Sequence, residues 1–262
     1  MEILTRIISV ILIILFGMFS AWIVNYLADT LPVKRKLSKA CCQHCLKEKN
    51  WKDYLLLRRC ASCGNSLNIR TWIVYGLIPV GMVLLWLFPN KTGVEIFTQD
   101  PVFHLVLRGI LFVFFILVCV IDLEYRAVLI PVVIFGFVFG AVFGVIYHGW
   151  LNTIWGFAAG FGIMLLLYLL GVLFVKLLNR KRTEKLDEDA LGFGDVNLSG
   201  VLGLVLGFPG IIAGLFLGII IGGLGSLVYL AISRLSGTYK LFTPLPYAPF
   251  LIAGAAVLLF IL

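Results

Sequence analysis

Residues 128–176 read VLIPVVIFGFVFGAVFGVIYHGWLNTIWGFAAGFGIMLLLYLLGVLFVK, and this stretch decides the fold. It contains no Asp, Glu or Arg, and its one Lys is its last residue. A bilayer core about 30 Å thick needs roughly 20 apolar residues per helix. The stretch is therefore long enough for two membrane helices, which we predict at 128–148 and 152–176.

The rest of the chain has the same character. Of its 262 residues, 61% are hydrophobic and 13% are charged, which lies outside the range of water-soluble domains. The apolar residues form long blocks, whereas the strands of a membrane barrel would be shorter and would alternate. We therefore predict an all-α polytopic membrane protein of about eight transmembrane helices. They lie near 3–27, 70–88, 103–121, 128–148, 152–176, 197–208, 210–232 and 244–262.

Two of the predicted segments differ from a simple membrane helix. The first apolar stretch is too long for the apolar core of a cleaved signal peptide, so a membrane helix is expected there. Pro32 is expected to end it, because proline cannot continue the hydrogen-bond ladder. The segment 197–208 is too short to span alone. It either joins the residues before it or forms a half-helix beside a polar site.

The net charge of +8 is concentrated in a few loops. Of the 21 Lys and Arg residues, ten lie in 34–70, five in 176–185 and two in 234–240. If the helices alternate, these loops share one side of the membrane, and the positive-inside rule makes that side cytoplasmic, with both termini outside. The orientation of the chain in the membrane is therefore enough to explain why these loops are basic. The expected partner is thus the lipid bilayer, and no nucleic acid is expected.

One stretch, roughly 32–70, is polar enough to fold as a separate module. It contains two Cys-x-x-Cys pairs with fourteen residues between them. Four thiolates around a tetrahedral ion are the pattern of structural zinc. A module of this size with few large apolar side chains lacks a core, so the metal would supply its folding energy. The predicted zinc ligands are Cys42, Cys45, Cys60 and Cys63.

The assignment of the first pair leaves alternatives open, because Cys41 and His44 lie beside it. Disulfides or free thiols are the alternative to a metal, although the reducing cytoplasm disfavours disulfides. The predicted division of the chain is a first transmembrane helix at 1–31, a cytoplasmic zinc module at 32–70 and a transmembrane bundle at 71–262. The charged segment 179–189 is predicted as a cytoplasmic loop.

Two of the thirteen acidic residues are not explained as solvated loop charges. Asp122 ends an apolar run in VCVIDLEYR, and Asp195 lies in GFGDVN, where a basic loop returns to the membrane. Most of the other acids are interpreted as solvated loop charges. An ionisable group near hydrocarbon usually has a function or a partner. Two carboxylates brought together cannot both ionise cheaply, so one becomes a base and the other keeps its proton, as in an aspartic peptidase.

Each aspartate also has a structural explanation. Asp122 alone fits a helix-end residue paired with Arg126, and Asp195 alone fits the N-cap of the following helix. The sequence does not by itself bring the two together, and a proton or ion pathway would also use paired acids. Gly192 and Gly194 would let a substrate backbone approach closely and let the chain flex.

Taken in order, these motifs resemble those of the type IV prepilin peptidase family, within the Gly-x-Gly-Asp membrane aspartyl proteases. IDLEYR at 121–126 resembles the first active-site motif, and GFGDVNL at 192–198 resembles the second. The cysteine pairs resemble the zinc-binding loop of the family. The stretch 25–32 lies where members have an Asn-led segment ending in Arg-x-Pro, and PYAPFL at 246–251 resembles the entry to the last helix.

The resemblance implies an enzyme, a membrane-embedded aspartic endopeptidase with Asp122 and Asp195 as catalytic residues. Its substrates would be type IV prepilins or secretion pseudopilins, whose short basic leader is cut off after a Gly that precedes the hydrophobic helix. The expected location is the bacterial inner membrane, with the active site at the cytoplasmic face. Many members with the cysteine loop also methylate the new N-terminus, so S-adenosylmethionine joins zinc as a candidate cofactor.

The chain departs from the family pattern at four positions: Thr30, Tyr75, Asp189 and Asn197. None of them removes a catalytic aspartate, so the departures leave methylation and substrate choice open. Two other classes of function remain. An ion-coupled transporter would not explain the cysteine loop. A non-catalytic assembly factor of a pilus or secretion machine would not explain the intact aspartates.

Overall fold

The computed structural model describes residues 2–42, 45, 47–48, 51, 54, 57–65, 67–88, 101–179, 192–236 and 246–261. Within these residues the regular structure is helical, apart from an isolated bridge between Cys41 and Glu48. The prediction of an all-α membrane protein is confirmed. The helices are α1 (Glu2–Lys34), α2 (Ile69–Leu87), α3 (Pro101–Tyr125), α4 (Ile130–Asn179), α5 (Phe193–Leu206), α6 (Gly210–Leu235) and α7 (Ala248–Phe260).

The predicted count of about eight membrane spans is not confirmed. Among the described residues, five helices are long and apolar enough to cross a membrane, namely α1 to α4 and α6. With 14 and 13 residues, α5 and α7 are shorter than a spanning helix. The two helices predicted at 128–148 and 152–176 also belong to one element of 50 residues.

Helix α4 is a hairpin that turns at Gly149. This residue has φ 75° and ψ 161°, a backbone conformation that favours glycine and interrupts the helix. The rings of Phe137 and Phe157 lie 5.9 Å apart, so the two halves pack against each other. The break therefore falls where the sequence separates the two predicted segments, and both ends of α4 lie on the same side of the bundle.

Helix α5 packs with its backbone directly against α4. A Cβ on Gly156 would overlap the carbonyl of Gly203, and a Cβ on Gly160 would overlap the carbonyl of Ser199. Small residues permit this close approach of membrane helices. Glycines in this part of the chain therefore serve as packing positions. They also fix the helix that carries Asp195.

The chain divides into two compact units, one of Met1–Pro89 and Asp100–Ile121 and one of Asn90–Gln99 and Asp122–Leu262. In the first unit α1 packs on α2, where a Cβ on Gly17 would overlap Pro79. The second unit contains α4 to α7. The division at 1–31, 32–70 and 71–262 stays a prediction, and residues 180–189 of the predicted charged loop lie outside the described residues.

The expectation that Pro32 ends the first helix is wrong. Helix α1 continues to Lys34, and the N–H of Arg35 still donates to the carbonyl of Leu31 at 2.9 Å. Proline removes one ladder bond, to the carbonyl four residues earlier. Because Pro32 lies in the last turn, that loss affects only the helix end. Arg35, with φ 52°, then turns the chain out of the helix.

Candidate functional site

The structure brings the two predicted catalytic aspartates together in the second unit. Asp122 lies near the end of α3, and Asp195 is the third residue of α5. Both are buried, with 4% and 8% of their surface exposed. Their carboxylates are close enough to interact electrostatically. The sequence pattern alone could not establish this proximity.

The carboxylate of Asp122 accepts a hydrogen bond from the backbone N–H of Ala248, with 3.2 Å between nitrogen and oxygen. Ala248 is the first residue of α7, where N–H groups have no intrahelical partner and partial positive charge accumulates. No ion pair joins the described side chains of Asp122 and Arg126. Their link is the backbone bond from the Arg126 N–H to the Asp122 carbonyl, at 2.8 Å. The alternative of an Asp122–Arg126 salt bridge is therefore wrong.

Asp195 is not the N-cap of its helix. Helix α5 begins at Phe193 with Gly192 as the N-cap, four residues earlier than the sequence predicts, so Asp195 lies inside the first turn. A Cβ on Gly192 would lie 3.5 Å from Oδ2 of Asp195. The carboxylate thus folds back over the start of the helix.

The two glycines of the motif have different surroundings. A Cβ on Gly194 would lie 3.0 Å from Cβ of Val128, so this position has a packing reason to lack a side chain. Gly192 has an extended conformation, φ −76° and ψ 140°, that any residue adopts. A contact between substrate backbone and either glycine stays a prediction.

Two groups near the acids were missed by the sequence interpretation. One is the Ala248 N–H, and the other is Tyr247, the N-cap residue of α7. Burial and the nearby Asp195 carboxylate raise the pKa of the Tyr247 phenol, so it stays protonated at neutral pH. The available signal was Pro249, since proline favours the first turn of a helix and so marks a helix start here.

The four predicted metal ligands converge in the first unit. The Sγ atoms of Cys42 and Cys63 lie 3.6 Å apart, and those of Cys45 and Cys60 lie 3.8 Å apart. All four sulfurs lie within 4.8 Å of one another. Zn–S bonds of about 2.3 Å in a tetrahedron separate the sulfurs by about 3.8 Å. The four cysteines therefore fit one zinc ion.

Tight turns hold these sulfurs in place. Gly64, with φ 68°, donates its N–H to the carbonyl of Cys60 at 2.8 Å, as the Gly-Asn sequence after the second pair suggests. The backbone N–H groups of Cys63 and Ser62 lower the pKa of the Cys60 thiol to about 6, which favours the thiolate that binds metal. The sulfur of Cys41 instead lies 3.6 Å from the Lys39 carbonyl, outside the cluster. His44, the other alternative ligand, lies outside the described residues.

A third buried carboxylate lies in the first unit. Asp29 of α1 forms an ion pair with Arg70 of α2 and accepts a hydrogen bond from the Tyr54 hydroxyl at 3.1 Å. Only 11% of the Asp29 side chain is exposed. The interpretation of such acids as solvated loop charges is wrong for Asp29. Its partners are distant in sequence, so no local pattern reveals them.

Aromatic rings and polar contacts join the cysteine module to α1. Trp51 packs on Tyr26 with ring centroids 5.3 Å apart, and the Tyr26 hydroxyl donates to the carbonyl of Ser38 at 2.5 Å. Lys34 forms an ion pair with Glu48 at 2.6 Å. The module is thus fixed to the membrane helix on which it packs.

Residues 109–227 match the family model described as the type IV leader peptidase family. This segment contains Asp122, Asp195 and both glycines of the second motif, while the four cysteines precede it. The comparison with curated proteins gives no match, and neither does the comparison with solved structures. The resemblance to the type IV prepilin peptidases is confirmed, and it implies a peptidase.

Proposed function

Because residues 109–227 belong to the type IV leader peptidase family, we propose that the protein is a membrane-embedded aspartic endopeptidase that removes the basic leader of type IV prepilins or pseudopilins. The observation that carries this proposal is the pair of buried, interacting carboxylates inside the matched segment. Two acids held together in a low-dielectric site share one proton, which provides a base and an acid side by side.

The surroundings of the two acids support a division of roles. Asp122 faces the N–H at the start of α7, and a helix N-terminus stabilises negative charge. We therefore assign the ionised role to Asp122 and the protonated role to Asp195. Asp122 takes a proton from water as the oxygen attacks the scissile carbonyl, and Asp195 donates its proton to the carbonyl oxygen. The tetrahedral intermediate then breaks its C–N bond. Asp122 gives the proton that it took from water to the leaving amine, and Asp195 regains a proton from a hydroxyl of the intermediate as the new carboxyl group forms.

The distribution of charge supports an active site at the cytoplasmic face of the bacterial inner membrane. In the second unit, Arg126 follows α3, Lys176 lies in the last turn of α4, and Arg234 lies in the last turn of α6. The first turn of α5, with Asp195, follows the end of α4 in sequence. Cations of this kind mark cytoplasmic loops, and the leader of a prepilin is cytoplasmic.

We further propose that one zinc ion binds to Cys42, Cys45, Cys60 and Cys63. When bound, it would supply folding free energy to a module whose sequence contains few large apolar side chains. Because that module packs on α1 through Trp51, the metal would also stabilise the cytoplasmic end of the first helix.

We also propose that methyl transfer from S-adenosylmethionine is weak or absent. Thr30, which stands where the family has Arg, is fully buried, and its hydroxyl is used in a bond to the Tyr26 carbonyl at 2.7 Å. A lost charge partner for a zwitterionic cofactor typically costs about 1–3 kcal/mol, or roughly tenfold in affinity. Mass spectrometry of the mature pilin tests this point, and a fully methylated first residue would contradict it.

The decisive experiment is leader removal by purified protein in detergent. A prepilin is incubated with wild-type protein, with Asp195→Ala and with Glu124→Gln, and the products are separated by mass. Wild-type protein and Glu124→Gln should release the leader, because Glu124 is exposed and lies on another face of α3 than Asp122. Asp195→Ala should release none. Folded wild-type protein that leaves every tested prepilin intact would refute the proposal.

A further inference from the structure

Ser199 is a buried polar residue of α5 that has no role in the proposed cleavage reaction as described above. Its exposed fraction is 0%, and its hydroxyl has no hydrogen-bond partner among the residues that the structure describes. An unsatisfied buried hydroxyl typically costs about 1–3 kcal/mol, and such groups in native proteins are normally paired with protein or with ordered water. Its presence therefore calls for a ligand or for a water molecule.

Hydroxyl side chains in the neighbouring helices α4 and α6 hydrogen-bond within their own helix. The hydroxyls of Thr153 and Ser226 donate to carbonyls four residues earlier, at 2.8 and 2.7 Å. Ser233, which is also buried, donates to the Leu230 carbonyl at 3.1 Å. This local bond is the usual solution for Ser and Thr in a helix. Ser199 has the carbonyl of Asp195 at the equivalent position and does not bond to it.

The position of Ser199 relates it to the acid pair. It lies four residues after Asp195 in α5, and side chains at this spacing share a helix face with Cβ atoms about 5–6 Å apart. Helical side chains also lean toward the N-terminus of their helix, so the hydroxyl leans toward the turn that carries Asp195. Two hydrogen bonds of about 2.8 Å through one water span that separation.

We infer that Ser199 is a positioning residue of the Asp122–Asp195 site, whose hydroxyl hydrogen-bonds the water that the acid pair activates. This inference rests on the proposed function and adds a third polar group to it. The hydroxyl gives the water a fixed hydrogen-bond partner in addition to the two carboxylates. The water then loses its proton and attacks the scissile carbonyl from one fixed position. This matters because a small misalignment of reacting groups lowers the rate strongly.

The opposite explanation is that Ser199 is only a small residue at a close helix contact. Its backbone carbonyl lies against Gly160 of α4, where a bulky neighbour would not fit. That explanation makes a different prediction for Ser199→Ala, which keeps the small size and removes an unsatisfied hydroxyl. The variant would then be as stable as the wild type or more stable, with unchanged activity.

The test measures kcat and KM for prepilin cleavage, together with thermal stability in detergent. The proteins are wild type, Ser199→Ala, Ser199→Cys, Ser233→Ala and Asp195→Asn. We expect Ser199→Ala to lower kcat by about tenfold, with KM and the melting temperature unchanged. Ser199→Cys should behave in the same way, since a thiol is a weak hydrogen-bond donor. Ser233→Ala should keep the wild-type kcat, because the hydroxyl of Ser233 serves its own helix.

A kcat of Ser199→Ala within twofold of wild type would overturn the inference. A fall in kcat that comes with an equal loss of stability, or a change in KM alone, would also count against it. In each of these cases the proposed function still holds if the wild type cleaves prepilin and Asp195→Asn does not. Folded wild-type protein without cleavage would instead overturn the proposed function, and the role of Ser199 with it.

Discussion

The two units of the molecule each bury carboxylate groups, and they compensate them in different ways. In the first unit, Asp29 has a cation, Arg70, and a hydroxyl donor, Tyr54. In the second unit, Asp122 has a backbone N–H, and its electrostatic neighbour Asp195 is another acid. Burying a charge is costly unless it is paired. The first arrangement therefore keeps both Asp29 and Arg70 charged. The second favours a state in which one of the two aspartates keeps a proton and is neutral.

The difference separates a structural role from a chemical one. An ion pair such as Asp29–Arg70 resists any change of protonation, because each charge stabilises the other. Burial and the Asp29 carboxylate also raise the pKa of the Tyr54 phenol, so its proton stays in place as a donor. A pair of like charges does the reverse and exchanges protons readily. The following experiments test whether this contrast holds.

The largest effect is expected from Asp122→Asn and Asp195→Asn. An amide neither accepts a proton from water nor donates one to the carbonyl, so each variant should lower leader cleavage by roughly a thousandfold or more. Neither should lower the melting temperature much, because an uncharged amide relieves the repulsion between the acids. Cleavage by mass spectrometry and thermal unfolding in detergent measure the two outcomes. Near-normal cleavage by either variant would exclude the acid pair as the catalytic centre.

The next effect concerns the metal. Protein purified without chelator should contain about one zinc ion per chain, and Cys60→Ser or Cys63→Ser should reduce this to near zero. Cys119→Ser is the matched control, because Cys119 lies in α3 and outside the four-cysteine cluster. Elemental analysis gives the content directly. Metal-free wild-type protein, or equal zinc in all the variants, would show that the cluster is not a zinc site.

A smaller effect is expected at the ion pair of the first unit. Asp29→Asn or Arg70→Met leaves one charge buried without its partner, and each should destabilise the protein by about 3 kcal/mol. The double variant should lose less than the sum of the two, because no uncompensated charge remains. Chemical denaturation in detergent measures these differences. Additive losses would mean that the two side chains do not depend on each other.

The smallest effect is expected from Tyr54→Phe. Removing this hydroxyl deletes one hydrogen bond to Asp29 and leaves the ion pair, so the loss should be about 1 kcal/mol. Cleavage of prepilin should be unchanged. If Tyr54→Phe abolished cleavage while the protein stayed folded, the Asp29 cluster would not be purely structural, and the contrast with the Asp122–Asp195 pair would be wrong.

Much of this organisation could be predicted from the sequence, because hydropathy and short motifs are local properties. The apolar stretch 128–176 predicts the membrane helices and the break between them, which the structure places at Gly149. Cys-x-x-Cys spacing predicts the cluster, since each pair occupies one turn. Asp122 and Asp195 were selected because each carries a charge at the end of an apolar segment.

The rest depends on contacts between distant parts of the chain. The N–H of Ala248 that faces Asp122 belongs to the backbone. Pro249 marks a helix start there, but no residue type shows that this helix start lies beside Asp122. The Asp29–Arg70 pair joins residues 41 positions apart. Hydropathy also predicts apolar character better than helix length. A membrane helix was predicted at 244–262, where α7 has only 13 residues.

The shortness of α5 has a consequence for how water reaches the site. Fourteen residues at 1.5 Å each extend for about 21 Å, which is about 9 Å less than the hydrocarbon thickness. Its residues from Asp195 onward are almost all buried in protein, so the bilayer does not thin around it to cover the difference. The missing length must instead be filled by other parts of the chain or by solvent. The proposed hydrolysis needs water beside Asp195 in the first turn of α5, and we expect this water to enter through the space that the short helix leaves.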